Sequence, residues 1–476
     1  MATSTQVSLT GLSYIDSILM GSKWDASTLV YSFPTSASQY ILDQNGNYST
    51  DNEVAHWDGA LSTAEQQAVR NILASISQFT NLTFVEATNP SQADLKFGRV
   101  NDPTALDGAW AHYPGNLEVS GDVWINSAVY SSWNAADLKP GGDNYQTLMH
   151  EIGHALGLKH PFQAYGSFPI ASNDERYLSH TVMDYYGYGY IPGNSSASNV
   201  APFGYQRNDI AALQSLYGVN ETVRGGIMTS YTVGPAGNMF YFETYEDWSH
   251  SLETLKPASE PVFYMTLWDG GGMDGLSLNQ LSQDQWIDLR PGKGSVFLHD
   301  QQLKLNNTQW AANLYNPYGT QSVIEGVNLG SGHNIVVGSA MNDTINGGSG
   351  TDIFVVDSLF SENASWVNPN HITVNIASTT GPAVQFSLTS SGFTYFDMSG
   401  GLYGFTVDIY GPQGLDGTGG VEEIWFRDKK VVFDLTANYL SATVVDAALS
   451  EKFDSEWWSY FAPGSTTDDV LGWLVS

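Results

Sequence analysis

The side chains best suited to chemistry stand together in HEIGHALGLKH, His150–His160, which holds three of the chain's ten histidines. His150 and His154 are four residues apart. On a helix turning about 100° per residue they point within roughly 40° of each other, so both imidazoles can reach one metal ion. Gly157 stands where a helix that must stop at once needs a residue tolerant of positive φ. Beyond it the chain can turn back and bring His160 in as a third nitrogen. Three neutral imidazoles suit zinc, and a set of three leaves one coordination position for water, as in a catalytic rather than a structural site. Zinc lowers the pKa of that water towards neutrality. Glu151 is not needed as a ligand. It is placed to take the water's proton and later pass it to a leaving amine.

That chemistry requires a helix over residues 144–157, with Asp143 or Asn144 as its cap. Leu148, Ile152, Ala155 and Leu156 then turn towards a core, and Glu151 lies on the polar flank beside the imidazoles. The sequence before this helix reads as mixed α/β. TLVYSFP (Thr28–Pro34), LTFVEA and ADLKFG (Ala93–Gly98) are expected strands. Between the first two, Ser62 and Glu65 form a capping box, and Val69, Ile72, Leu73 and Ile76 mark one helical face. Of the remaining histidines, His112 and His180 are candidates for the neighbourhood of the site, whereas His56, His250 and His371 carry no comparable pattern.

After about residue 222 helical periodicity gives way to short apolar runs between Gly, Asn, Asp and Ser turns. Three consecutive nonapeptides follow in frame: LGSGHNIVV (329–337), GSAMNDTIN (338–346) and GGSGTDIFV (347–355). The third fits GGxGxDxUx throughout. Such repeats form a parallel β-roll with a calcium-binding turn and a short strand per repeat, whose interior Val336, Ile345 and Phe354 would fill. Asn334 and Met341 replace consensus residues in the first two copies, so few calcium ions are expected. The expected division is residues 1–222, 223–356 and 357–476.

Composition narrows the function. Forty-nine acidic against 17 basic residues give a net charge of −32. This excludes nucleic acid as a partner, which needs clustered Lys and Arg, and suits hard cations. With no cysteine, disulfides, thiolate metal sites and cysteine nucleophiles are excluded. No run of about 18 apolar residues predicts a membrane span. The segment MATSTQVSLTGLSYIDSILMGSKWD has no basic n-region and is not read as a signal peptide. The high charge favours a monomer.

The string HEIGHALGLKHP, followed by TVMDYY with Met183, resembles the metzincin signature, H-E-x-x-H-x-x-G-x-x-H and a Met-turn. Within that group it is most similar to the serralysin family of secreted bacterial alkaline proteases. NDIAALQSLYG (Asn208–Gly218), LWDGGGMDGLSL (Leu267–Leu278) and SVIEGVNLGSG extend the likeness over roughly residues 14–356. The resemblance implies an α+β metzincin zinc-protease domain followed by an all-β C-terminal region with a parallel β-roll of RTX nonapeptide repeats. It implies zinc on His150, His154 and His160, with Glu151 as general base and Met183 as an apolar floor. Tyr185 resembles the tyrosine that ligates zinc at rest and swings to stabilise the oxyanion. Asp269, Asp274, Asp343, Asp352 and Glu325 match calcium ligands. GAWAHYP (Gly108–Pro114) stands at the distance expected for the edge strand that pairs with an extended substrate.

Two departures stand out: Asp184 occupies a position where the family has serine, and the repeats are few and worn. Little sequence precedes Tyr14, so any pro-segment is expected to be very short. The resemblance also implies a protein or peptide substrate, leaves room for a proteinaceous inhibitor, and implies export to the extracellular medium through a type I secretion apparatus. DDVLGWLV would belong to an uncleaved C-terminal signal. The competing reading is a calcium-folded extracellular binding or surface-layer protein with a decayed protease domain, suggested by the worn repeats, Asp184 and the last 120 residues. A non-proteolytic metal hydrolase is weaker, because nothing suggests sugar or phosphate recognition.

Overall fold

A computed structural model describes residues 2–185 apart from a few positions at 43–47 and 131–136, residues 201–222, and beyond them the strands and short connecting segments between 229 and 446. The chain divides into two compact units, Met1–Val223 with Phe263–Trp268, and Arg224–Val262 with Asp269–Ser476. No helix among the described residues is long and apolar enough to cross a membrane.

In the first unit five strands, β1 (Thr28–Ser32), β2 (Thr83–Glu86), β3 (Leu95–Val100), β4 (Ala109–Ala111) and β5 (Val123–Asn126), form one sheet in the order β2-β1-β3-β5-β4. All neighbours are parallel except β4, which pairs antiparallel with β5 and lies on the edge. Trp57–Gly59 also pairs along β3. Parallel neighbours need a crossover, and helix α1 (Thr63–Phe79) supplies it between β1 and β2. The expected capping box is present: the Ser62 hydroxyl accepts from Glu65 N, and the Glu65 carboxylate accepts from Ser62 N at 2.6 Å. Val69, Ile72, Leu73 and Ile76 are buried against the sheet, as the periodicity requires. Strands β3 and β5 bury side chains on both faces, Leu95, Phe97, Val123, Trp124 and Ile125 among them, as covered parallel strands do.

Helix α2 (Asp143–Ala155) carries the first two histidines, and α3 (Arg207–Tyr217) packs in the same unit. Two details of α2 differ from expectation. Its N-cap is Gly142, with no side-chain cap; Asp143 is already helical, where its charge favours the helix N-terminus. The helix is also not half polar, since every residue from Leu148 to Ala155 is buried, Glu151 included. The reason is packing on both sides. One side meets β4, β5 and α1. On the other, Tyr205 Oη donates to Met149 O at 2.7 Å and Gln146 Nε2 lies 3.5 Å from Val182 O.

Gly157 has φ +103°, and a Cβ there would collide with the carbonyl oxygen of Ser22. Only glycine fits both demands. Residues 18–20 then run antiparallel to 157–159, with Met20 N donating to Gly157 O at 2.8 Å and Lys159 N to Ile18 O at 2.7 Å. This pairing steers the chain back to His160. Lys159 is buried, its ammonium bonded to the carbonyls of Ser17 and Pro169.

The second unit is built from strands. Thr229–Ala236, Met239–Glu246 and Ser249–Pro257 pair antiparallel in sequence. Two parallel ladders follow. Gly275–Ser277, Gly326–Asn328 and Thr344–Asn346 make one; Gln285–Asp288, Asn334–Val337 and Asp352–Val355 make the other. Successive segments of chain alternate between the ladders. Val327 partners Ile345 and Val336 partners Phe354, each eighteen residues on, or two nine-residue repeats. Val336, Ile345 and Phe354 are buried.

Candidate metal centre

His150 and His154 project from α2 one turn apart, and the turn at Gly157 returns His160 to them. One nitrogen of each ring lies within 4.8 Å of the others, the one such cluster among the described residues. The Nδ1 atoms of His150 and His154 are each 2.8 Å from a backbone carbonyl, of Val182 and Leu158 respectively. A carbonyl can only accept, so both rings carry the hydrogen on Nδ1 and a lone pair on Nε2. His160 Nδ1 has Gln163 Oε1 at 3.1 Å and fits the same tautomer. Its Nε2 lies 3.0 Å from that of His150 and 3.1 Å from that of His154. Three lone pairs facing one another repel unless a cation lies among them. Tetrahedral zinc, with Zn–N bonds of about 2.0–2.1 Å, holds its nitrogens roughly 3.3 Å apart, so the set fits zinc. The carbonyl partners orient the rings as ligand-supporting groups do. Burial lowers the pKa of all three, His150 to about 4, which keeps them neutral.

Glu151 follows His150 on the same turn. It is 6% exposed, and its Oε2 has no hydrogen-bond partner among the described residues. Burial, and then the charge of Asp107, push its carboxyl up to about 8. Met183 is fully buried, and a Cβ on Gly153 would lie 2.6 Å from its sulfur, so the helix and the methionine touch because residue 153 is glycine. Tyr185 is 65% exposed, yet its hydroxyl reaches His160 Nε2 at 2.8 Å and its ring stacks on His150 at 5.4 Å.

The departure at Asp184 has a local account. Asp184 is fully buried, 3.7 Å from Arg176 Nε, and accepts from Tyr185 N at 2.7 Å. The Arg176 guanidinium lies over the Phe162 ring, which stacks nearly parallel on His160 at 4.9 Å.

Of the other histidines, neither joins the cluster. His180 is buried with its ring edge-on to Tyr177. His112 is turned to Glu53, with Nε2 2.7 Å from Oε1. Glu53 is buried and also accepts from Trp110 Nε1 at 3.2 Å, so one carboxylate grips two residues of GAWAHYP. That stretch contains the edge strand β4. Tyr113, next along the chain, places its ring edge-on to His154 at 5.3 Å. Gly153, Gln163 and Glu53, and the place of Tyr113 within GAWAHYP, were not legible in the sequence. No local periodicity marks them; their partners lie elsewhere in the chain.

The acidic candidates of the second unit are partly described. Asp269 is fully buried and accepts from Tyr231 Oη at 2.6 Å and Gly271 N at 3.2 Å. Asp274 is buried, and its carbonyl accepts from Gly326 N at 2.8 Å. Asp352 is buried, with Oδ1 accepting from Asn334. Asp343 and Glu325 lie outside the described residues.

Comparison with known proteins points to the same residues. A family model described as Matrixin matches residues 43–168, and one described as Met-zincin matches residues 145–204. Serralysin G of Dickeya chrysanthemi is 30% identical over 300 residues, 60% of this chain and 55% of its own length. Metallopeptidase AprA of Pseudomonas marginalis is 30% identical over 273 residues, 55% of this chain and 52% of its own. Serralysin of Photorhabdus laumondii is 29% identical over 238 residues, 48% of this chain and 46% of its own. The chain spans about half the length of the curated relatives it matches. The two family models take in the stretch that builds the histidine cluster, and with that cluster the chain resembles the serralysins among the metzincins.

Proposed function

We propose that the chain is a secreted zinc endopeptidase that hydrolyses peptide bonds of extracellular proteins. The observation that carries this reading is the convergence of three Nε2 lone pairs beside Glu151, a buried carboxylate with one oxygen unpartnered among the described residues. Zinc, when bound to His150, His154 and His160, supplies Lewis acidity towards water and towards a peptide carbonyl. Glu151 takes the proton of the attacking water and returns it to the leaving amine. A dication on the neighbouring rings favours its ionised form and opposes the upward push of burial. The Tyr185 hydroxyl, on an exposed ring beside the histidines, donates to the developing oxyanion. Strand β4, at the edge of the sheet among the described residues, offers that edge to an extended substrate, and Glu53 holds it through Trp110 and His112.

In the second unit we assign calcium to Asp269 and Asp274, and, from the sequence pattern of a parallel β-roll, to Asp343 and Glu325; Asp352 commits Oδ1 to Asn334. Binding of the ion outside the cell would supply folding free energy after passage through a type I secretion apparatus. The relatives, serralysins and a metallopeptidase, support the reading. The alternative of a decayed protease domain loses one motive, because Asp184 is paired with Arg176.

The test is hydrolysis of casein by the wild type and by Glu151→Ala, with zinc content measured in both. The reading expects one zinc per chain in each and a loss of turnover of at least about a hundredfold in the variant. A zinc-loaded variant with wild-type turnover would remove Glu151 from the role of base; a zinc-loaded wild type inert towards unfolded proteins would favour the binding-protein alternative.

A further inference from the structure

The two parallel ladders of the second unit begin on unlike rows of side chains. In one, the strands starting at Gly275, Gly326 and Thr344 are preceded in sequence by Asp274, Glu325 and Asp343, three acids. In the other, the row reads Gln285, Asn334 and Asp352. Gln285 is opposite Asn334, and the register of Ile335 with Ile353 sets Asn334 opposite Asp352. The consensus nonapeptide has aspartate here. Two of the three residues in this row are carboxamides.

The residues around Asn334 do not fit a calcium ion. Asn334 Oδ1 accepts from Gln285 N at 3.1 Å, which fixes the carboxamide with its oxygen towards Gln285 and its nitrogen away. That nitrogen, Nδ2, lies 2.7 Å from Asp352 Oδ1, 3.0 Å from Gly332 O and 3.2 Å from Gly347 O. A carboxylate oxygen and two glycine carbonyls are the kind of donors a calcium ion gathers at about 2.3–2.6 Å. Here they gather a nitrogen instead. Its two hydrogens point outward to them, and the atom fills the space an ion would need. Asn334 and Asp352 are essentially unexposed, so water does not compete. Close approach is built in: a Cβ on Gly347 would lie 2.6 Å from Asp352 Oδ2.

We infer that the Asn334 carboxamide takes the place of a divalent cation among Gly332, Gly347 and Asp352, so that this edge of the strand stack closes without metal and any calcium requirement of the unit resides elsewhere. An ion binds by drawing anionic oxygens together; the amide does the same with hydrogen bonds. It needs no metal to do so and removes one negative charge from a strongly acidic chain. The inference concerns the second unit alone and stands whether or not the histidine cluster is a peptidase site.

The test uses the full chain with Asn334→Asp and Asn334→Ala, measuring bound calcium by equilibrium dialysis and the thermal unfolding midpoint across a calcium titration. Asn334→Asp removes the donors and leaves two carboxylates and two carbonyls in contact. It is expected to bind one calcium ion more than the wild type. In chelator it should unfold below the wild type, and calcium should raise its midpoint by several degrees more than it raises the wild type's. Asn334→Ala is expected to bind the wild-type number of calcium ions and to be weakened by the same amount with and without calcium. Two results overturn the inference: an Asn334→Asp protein that gains neither an ion nor a calcium-dependent recovery, or an Asn334→Ala protein that loses an ion.

Discussion

Val182 donates its backbone N–H to the Asp209 carboxylate at 2.8 Å, and its carbonyl accepts the ring N–H of His150 at 2.8 Å. Asp209 also accepts from Thr181 Oγ1 at 2.5 Å and Gln206 N at 2.9 Å. One fully buried carboxylate on α3 therefore holds the segment that orients a candidate metal ligand and bears Met183.

Burial pushes Asp209 up to about 7, against the pull of those three donors. A folded-state pKa above the unfolded value of about 3.9 means that the folded chain takes up a proton between them. The contribution to stability is complete below about pH 4 and is lost as pH rises through about 7. Asp209→Asn should remove this pH-dependent loss while lowering stability by roughly 1–3 kcal/mol, because it leaves buried donors unmatched. Unfolding midpoints of the two proteins from pH 4 to pH 8 check this: the wild-type advantage should shrink across that range. A constant difference would contradict the assignment.

Gly153→Ala should destabilise the first unit. The new methyl would lie 2.6 Å from the Met183 sulfur in a fully buried contact, and overpacking of this kind costs about 1–3 kcal/mol. Shortening the partner with Met183→Ala should recover part of the loss, and a double-mutant cycle in urea unfolding measures the coupling. Independent, additive losses would mean that the helix and the methionine do not press on each other.

Tyr185→Phe removes the hydroxyl that reaches His160 and keeps the ring that stacks on His150. Zinc content should be unchanged. Turnover should fall about 10²–10³-fold with little change in KM, the pattern of a donor that acts only in the transition state. Steady-state kinetics on a peptide substrate decide it; a rise in KM at constant kcat would make Tyr185 a binding residue instead.

The parts legible in the sequence are those written in neighbouring residues. The spacing of His150, His154 and His160 around Gly157 implied a broken helix, because four residues make a turn and glycine stops one. Ser62 and Glu65 announced α1, and the nine-residue repeats implied one short strand each, as at Asn334–Val337, Thr344–Asn346 and Asp352–Val355. What escaped was set by partners far along the chain. Glu53 meets Trp110 and His112 only after the sheet is built, and Asp209 meets Val182 only once α3 has docked. The burial of Glu151 escaped for the same reason: a helix pattern shows which face is apolar but not that a second layer covers the polar one. The carboxamide at Asn334 read as a worn repeat; its meaning lay in which oxygens surround it.

X-ray absorption at the zinc edge, on the purified full chain with metal content determined on the same sample, tests the central claim most directly. The account predicts one zinc per chain with three imidazole nitrogens at about 2.0–2.1 Å, falling to two in His160→Ala. A folded wild type that retains no zinc, or holds it through oxygen ligands with the three rings uninvolved, would contradict it.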